Sequence, residues 1–452
     1  MHPEYNIILN TSAATSGLLA AYGQEGVDET DLYLSVALDD PEYLESFEGF
    51  LDEKIEGEDL TIREKFDADF LEMAKYGDGN HYALPYIGGG VYGLVYNKDI
   101  FKEYSIEIPR TTNELVVVAD ALSTEGLPAF CSFQGTGYWK YALEVWYAQY
   151  EGQDYYYKNF YACKDENGTT PSKEVLLKKD GRYAVLKAAE SLFTPNYVLS
   201  GSNSATHTVM QTQFLNGEAV MMFNGSWLEN EMKSVGGMEK FDIMRLPVLS
   251  EITEKLTTVK NEAQLRKVIT AIDTVLDGNK KEDDYKSGED YVVDGLNVSA
   301  ADWKHVYEAR TMAAGGYIDN SAFIPKYSTA KDAAKDFLKF LYSDEGLQLM
   351  GDQTGTRLPL NMCEGKLDIS DWSPFLTKYD EMATSSIRIS SQSTWTHPIF
   401  TMGGASLYAG IEFIPHFCTQ NASDRWTAED TWNQVIQKVN DNYLPNWLAN
   451  IK

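Results

Sequence analysis

The residues of this 452-residue chain that could do chemistry are its histidines, cysteines, carboxylates and aromatic rings. His81, His207, His305, His397 and His416 fall into no HExxH or other paired-ligand spacing, so they predict no metal centre. Neither a G-x-S-x-G turn nor a phosphate-cradling glycine loop is present. Cys131, Cys163, Cys363 and Cys418 form no CxxC pair, which excludes the common structural zinc patterns. A chain of this size needs no covalent staples, so free thiols are expected. The run 277–284 superficially follows a calcium loop, but Lys281 stands where an oxygen ligand is required and the glycine is misplaced. A glycosidase pair can always be drawn from 68 acidic residues, so counting does not exclude one. The expectation is nevertheless no catalytic residue, no cofactor and no metal.

What remains is aromatic: 9 Trp and 29 Tyr, rings that offer large contact area at low entropy cost and keep a polar handle. Trp227 sits in Gly225-Ser226-Trp227 at a strand-to-helix turn. Tyr138 and Trp139 follow the glycine-rich Gln134-Gly135-Thr136-Gly137. Trp395 lies in the polar stretch Ser393-Thr394-Trp395-Thr396-His397. The competing reading for each ring is plain packing, to which Trp146, Trp303, Trp372, Trp426, Trp432 and Trp447 are assigned.

The elements that must position these rings alternate between helical and strand periodicity, which predicts an α/β protein. Strands are expected at 5–9, 31–36, 92–97 and 219–224, with helices at 42–50, 62–75, 98–104 and 329–342. Thr111 and Glu114 have the spacing of a capping box. Residues 210–215 end a helix before the Asn216-Gly217 turn. In 329–342, Ala333, Phe337, Phe340 and Leu341 are expected on one inward face. The segment 277–294 is polar and aperiodic and reads as a solvated loop.

The length allows two or three domains, and 43% hydrophobic with 23% charged residues is the balance of a soluble globular chain. Apolar-rich runs such as 82–96 are broken by Gly and Pro, well short of the ~20 residues of a membrane-spanning helix. A net charge of -30 argues against nucleic acid as a partner and against an anionic membrane surface. Met1-His2-Pro3-Glu4 carries no basic and apolar regions of a signal peptide, so either the protein is cytoplasmic or its leader lay upstream.

Four blocks, in order, resemble one family. They are Tyr82-Ala83-Leu84-Pro85 with 92–101 (YGLVYNKDIF), then 109–115 (PRTTNEL). They continue with 214–222 (FLNGEAVMM) before Asn224-Gly225-Ser226-Trp227, and with Ile324-Pro325-Lys326 through 345, ending in Thr354-Gly355 and Leu358-Pro359. Together they are similar to the sugar-type, maltose-binding-protein-like extracellular solute-binding proteins of bacterial ABC importers. The resemblance covers about 31–361.

That resemblance implies an α/β, two-lobed periplasmic-binding-protein-like (class II) clamp with crossing hinge strands. Lobe one would take 1–88 plus 250–355, with 251–320 as an elaboration; lobe two would take 89–249 plus 356–452. The family usually opens with a strand and helix ahead of the segment matching 2–9, so either the chain is truncated or its first strand is supplied differently. The implied function is capture of a carbohydrate, of oligosaccharide type, and its delivery to permease subunits. It also implies a monomer outside the cell, held at the surface by an upstream lipid anchor or periplasmic. By the same resemblance the ligand would stack on Trp227 and Trp395, and the glycine-rich loop adds one of the pair Tyr138 and Trp139. Tyr86, Gly89 and Gly90 would line the hinge side. Asp39, Asp40, Gln134, Glu229 and Arg388 would supply polar contacts. Two rivals stand beside this: the same clamp for a non-sugar solute, and a carbohydrate-active enzyme.

Overall fold

The computed structural model describes residues 5–9, 30–35, 41–87, 90–315, 321–389 and 407–445. They form two compact units. The first contains the described residues of Met1–Gly90 and Gly316–Trp372; the second contains those of Val91–Gly315, Ser373–Ser391 and Pro398–Lys452.

The first unit is built on a three-stranded antiparallel sheet in the order Tyr33–Ser35, Ser321–Phe323, Leu84–Pro85. Helices Glu48–Leu51, Ile62–Lys65, Ala68–Met73, Lys331–Tyr342 and Asp344–Thr354 accompany it. The expected helix at 62–75 breaks in two because Phe66 is extended and bridges Leu360. The helix Lys331–Tyr342 forms, but its phase differs from the expectation. Ala334, Leu338, Leu341 and Tyr342 are buried, and Phe340 is 46% exposed. Tyr342 sets the phase: its ring meets Phe66 edge-on at 5.4 Å and its hydroxyl donates to Pro85 O at 2.7 Å. No strand forms over 5–9, where Ile7, Ile8 and Leu9 are exposed.

The second unit centres on Gly93–Asn97, fully buried and flanked by the antiparallel strands Met221–Asn224 and Phe241–Met244. A parallel pair, Met312–Ala314 with Ile387–Ile389, lies in the same unit. Thr111 caps the helix Thr112–Thr124 as expected, accepting from Glu114 N, but the Glu114 carboxylate accepts from Arg110 N instead of closing the box.

Residues 250–315, expected with the first lobe, belong to the second unit. Helices Glu262–Leu276 and Ala300–Thr311 share one core with Trp139–Glu151, and Gln149 Nε2 donates to Ala309 O at 2.9 Å. Conversely, 356–372 belongs to the first unit, where Asn361 N donates to Lys65 O and Asp67 N to Pro359 O. The segment 277–294, expected as a loop, contributes to an antiparallel ribbon of Lys286–Ser287, Asp290–Val293 and Leu296–Val298. Tyr291 stacks on the buried Trp303 at 4.3 Å and 2°, a tertiary contact that gives this polar run its anchor.

All four cysteines are free. Burial pushes the thiols of Cys131, Cys163 and Cys418 up to about 12, so they are poor nucleophiles at neutral pH.

Candidate functional site

In the second unit, the pairing of Gly93 with Asn224 brings Tyr92 and the turn Gly225–Trp227 to the same edge of the sheet. The entry to that strand is held by Val91 N donating to the buried Tyr379 hydroxyl at 2.7 Å and Tyr92 N donating to Ala314 O at 2.7 Å. Gly225 has to be glycine. A Cβ there would collide with the six-membered ring of Trp227, which folds back over the chain. The short helix Trp227–Glu231 follows.

The loop before Trp139–Glu151 delivers the next ring. Gln134 N donates to Ala205 O, Gly135 N to Asn203 O, and Thr136 N to the Glu412 carboxylate at 2.7 Å. Gln134 and Gly137 both have positive φ, 40° and 56°. A side chain on Gly137 would press into Phe133 O at 2.6 Å, so this turn needs glycine twice over.

These constraints assemble an aromatic shelf. Trp227 meets Tyr92 edge-to-face at 4.7 Å and 75°, and Tyr138 at 6.1 Å and 78°. Tyr92 also packs with Tyr138 at 5.3 Å, Tyr141 at 4.7 Å and Phe223 at 5.5 Å; Phe133 meets Tyr138 at 4.6 Å. Trp227, Tyr92, Tyr138 and Tyr141 are each half-buried, so the shelf keeps open ring surface. Burial first, and the Glu231 charge second, push the Tyr138 hydroxyl up to about 12, so it stays a proton donor through neutral pH. The Trp227 Nε1–H is buried. It lies close enough to Tyr138 to oppose that shift weakly.

The sequence-predicted residues separate clearly. Trp227 and Tyr138 come together, with Gln134 exposed on the adjoining loop. Trp139 is a correction: it is 2% exposed, its Nε1 donates to Cys131 O at 3.0 Å, and its ring stacks on Phe223 in the core. Glu229 accepts a hydrogen bond from Ser373 Oγ at 2.6 Å and so ties the start of helix Pro374–Thr384. Arg388 lays its aliphatic stem along Gly315, and its carbonyl accepts from the Tyr157 hydroxyl. Tyr86 and Gly90 lie in the first unit, Tyr86 half-buried against that unit's core. Trp395, Asp39, Asp40 and Gly89 lie outside the described residues. Tyr92 and Tyr141 join the shelf without having been expected from their residue type alone. Tyr92 heads one of the resembling blocks, and Tyr141 sits one helical turn beyond Tyr138.

An α/β fold in two units carrying an open shelf of rings fits a receptor that holds a ligand against aromatic faces. The chain belongs to the family of bacterial extracellular solute-binding proteins, whose model matches residues 20–348. Among solved structures it is similar to a chitin oligosaccharide binding protein, with TM-score 0.60 and 16% identity over 95% of this chain and 86% of that one. It is also similar to the bacterial solute receptor AcbH, described as having an exclusive preference for β-D-galactopyranose, with TM-score 0.57 and 15% identity over 96% and 88%. A probable secreted solute-binding lipoprotein from Streptomyces coelicolor gives TM-score 0.55 and 13% identity over 94% and 86%. At these identities the likeness shows the fold, that of the two-lobed periplasmic-binding-protein-like receptors. Comparison with curated protein sequences gives no match. Among the described residues, no helix is long and apolar enough to cross a membrane.

Proposed function

We propose that this protein captures a carbohydrate on the aromatic shelf of its second unit and delivers it to the permease of an ABC importer, without chemical turnover. The observation that carries this reading is the convergence of Trp227, Tyr138, Tyr92 and Tyr141 at one edge of the sheet. Pyranose rings present apolar C–H faces that stack on such rings, and hydroxyls for the polar tips of Tyr and Trp. Family membership supports the role of solute receptor, and two structural neighbours are described by the sugars they bind. The proposal extends to a monomer working outside the cell, lipid-anchored or periplasmic, with permease subunits as partners.

Titration calorimetry against D-galactose, maltotriose, xylotriose and chitotriose tests it. At least one sugar is expected to bind with a micromolar or tighter Kd and to be recovered unchanged. Release of reducing sugar, or no binding to any of the four, would sink the reading.

A further inference from the structure

Two glutamates occupy the helix Trp227–Glu231, and the structure treats them differently. Glu229 is engaged by Ser373. Glu231 stands four residues after Trp227, the spacing that places two side chains on one helical face. Gln211, fully buried on helix His207–Leu215, donates its Nε2 to Glu231 Oε2 at 2.6 Å. The Gln211 Oε1 is left buried with no hydrogen-bond partner, a cost tolerated by an amide oriented for the carboxylate. Glu231 itself is exposed, and its Oε1 makes no hydrogen bond among the described residues. The four-residue spacing puts the carboxylate on the Trp227 side of this helix, and its negative charge helps to raise the Tyr138 hydroxyl.

A carboxylate is an acceptor only, with about four lone-pair sites on two oxygens. One oxygen is pinned by Gln211 and the other is open, so the group is oriented before any ligand arrives. Preorganised acceptors of this kind match two adjacent hydroxyls, and hydrogen bonds to an ionised oxygen are roughly twice as strong as neutral ones. We propose that Glu231 is the specificity-determining residue of the shelf, accepting hydrogen bonds from a vicinal hydroxyl pair of the sugar stacked there, with Gln211 as its positioning residue. This inference rests on the carbohydrate reading above.

The test is calorimetry of wild type, Glu231→Gln and Trp227→Ala against the same four sugars, with choline as an organic-cation control. Glu231→Gln is expected to weaken the tightest sugar by about 10- to 100-fold while leaving the melting temperature within about 2 °C, as for other exposed substitutions. A deoxy analogue lacking one hydroxyl of the pair should bind wild type weakly and be indifferent to Glu231→Gln. If Glu231→Gln changes sugar affinity by less than twofold while Trp227→Ala abolishes it, the role of Glu231 falls and the carbohydrate reading stands. If choline binds and all four sugars fail, both fall together.

Discussion

Trp139 and Trp227 belong to neighbouring aromatic clusters of the same unit, and Phe223 is common ground: Trp139 stacks on it directly, and Trp227 reaches it through Tyr92. Their surroundings differ in two respects. Trp139 is sealed among Phe130, Phe193 and Phe223, and its N–H is satisfied by Cys131 O. Trp227 is half-buried, and its N–H is buried beside the Tyr138 hydroxyl. A ring with its polar atom satisfied and its faces covered serves the fold. A ring that keeps open surface has capacity for a ligand.

The largest expected effect separates the two rings on stability. Trp139→Ala should cost about 3–5 kcal/mol, since it removes a fully buried ring and leaves Cys131 O unpaired; chemical denaturation measures it. A loss below about 1 kcal/mol would break the distinction from one side. Trp227→Ala should reverse the pattern, with about a 100-fold loss of sugar affinity and about 1 kcal/mol or less of stability. A large unfolding effect there would move Trp227 into the core. The smallest effect sharpens the description of the shelf. Burial and the Glu231 charge raise the Tyr138 hydroxyl, so its ionisation should lie above that of ordinary tyrosines near 10. Because the raised value keeps the proton on at higher pH, sugar affinity should stay flat from pH 7 to 10. The difference in 295 nm absorbance between wild type and Tyr138→Phe should appear only above that range. A step in affinity centred near pH 10 would contradict this.

The sequence made the fold class legible, because strands such as Gly93–Asn97 and helices such as Thr112–Thr124 announce themselves by period and cap. The choice between Tyr138 and Trp139 was not legible. Adjacent helical residues point in different directions, and only the packing against Phe193 and Phe223 decides which one turns inward. The same applies to Glu229 and Glu231, whose roles depend on Ser373 and Gln211, 144 and 20 residues away. The ribbon within 282–298 was hidden because its stabilising partner, Trp303, lies beyond the polar run that it anchors. The allocation of 250–315 to the second unit likewise depends on Gln149 bonding Ala309, a long-range contact with no local pattern.

In the first unit, Lys65 is fully buried and pairs with Glu58 and with Asp344, the latter at 2.9 Å. The Cys363 thiol donates to the same Glu58. Glu58, Asp344 and Cys363 together offer the donor atoms that a divalent ion would seek. The chain has filled the place with an ammonium of its own, so the fastener between residues 58–65, 344 and 363 is tethered by peptide bonds. It cannot be leached by a chelator, diluted out of a medium poor in divalent ions, or exchanged for a competing metal, and its burial spares it most of the screening that salt imposes on surface pairs.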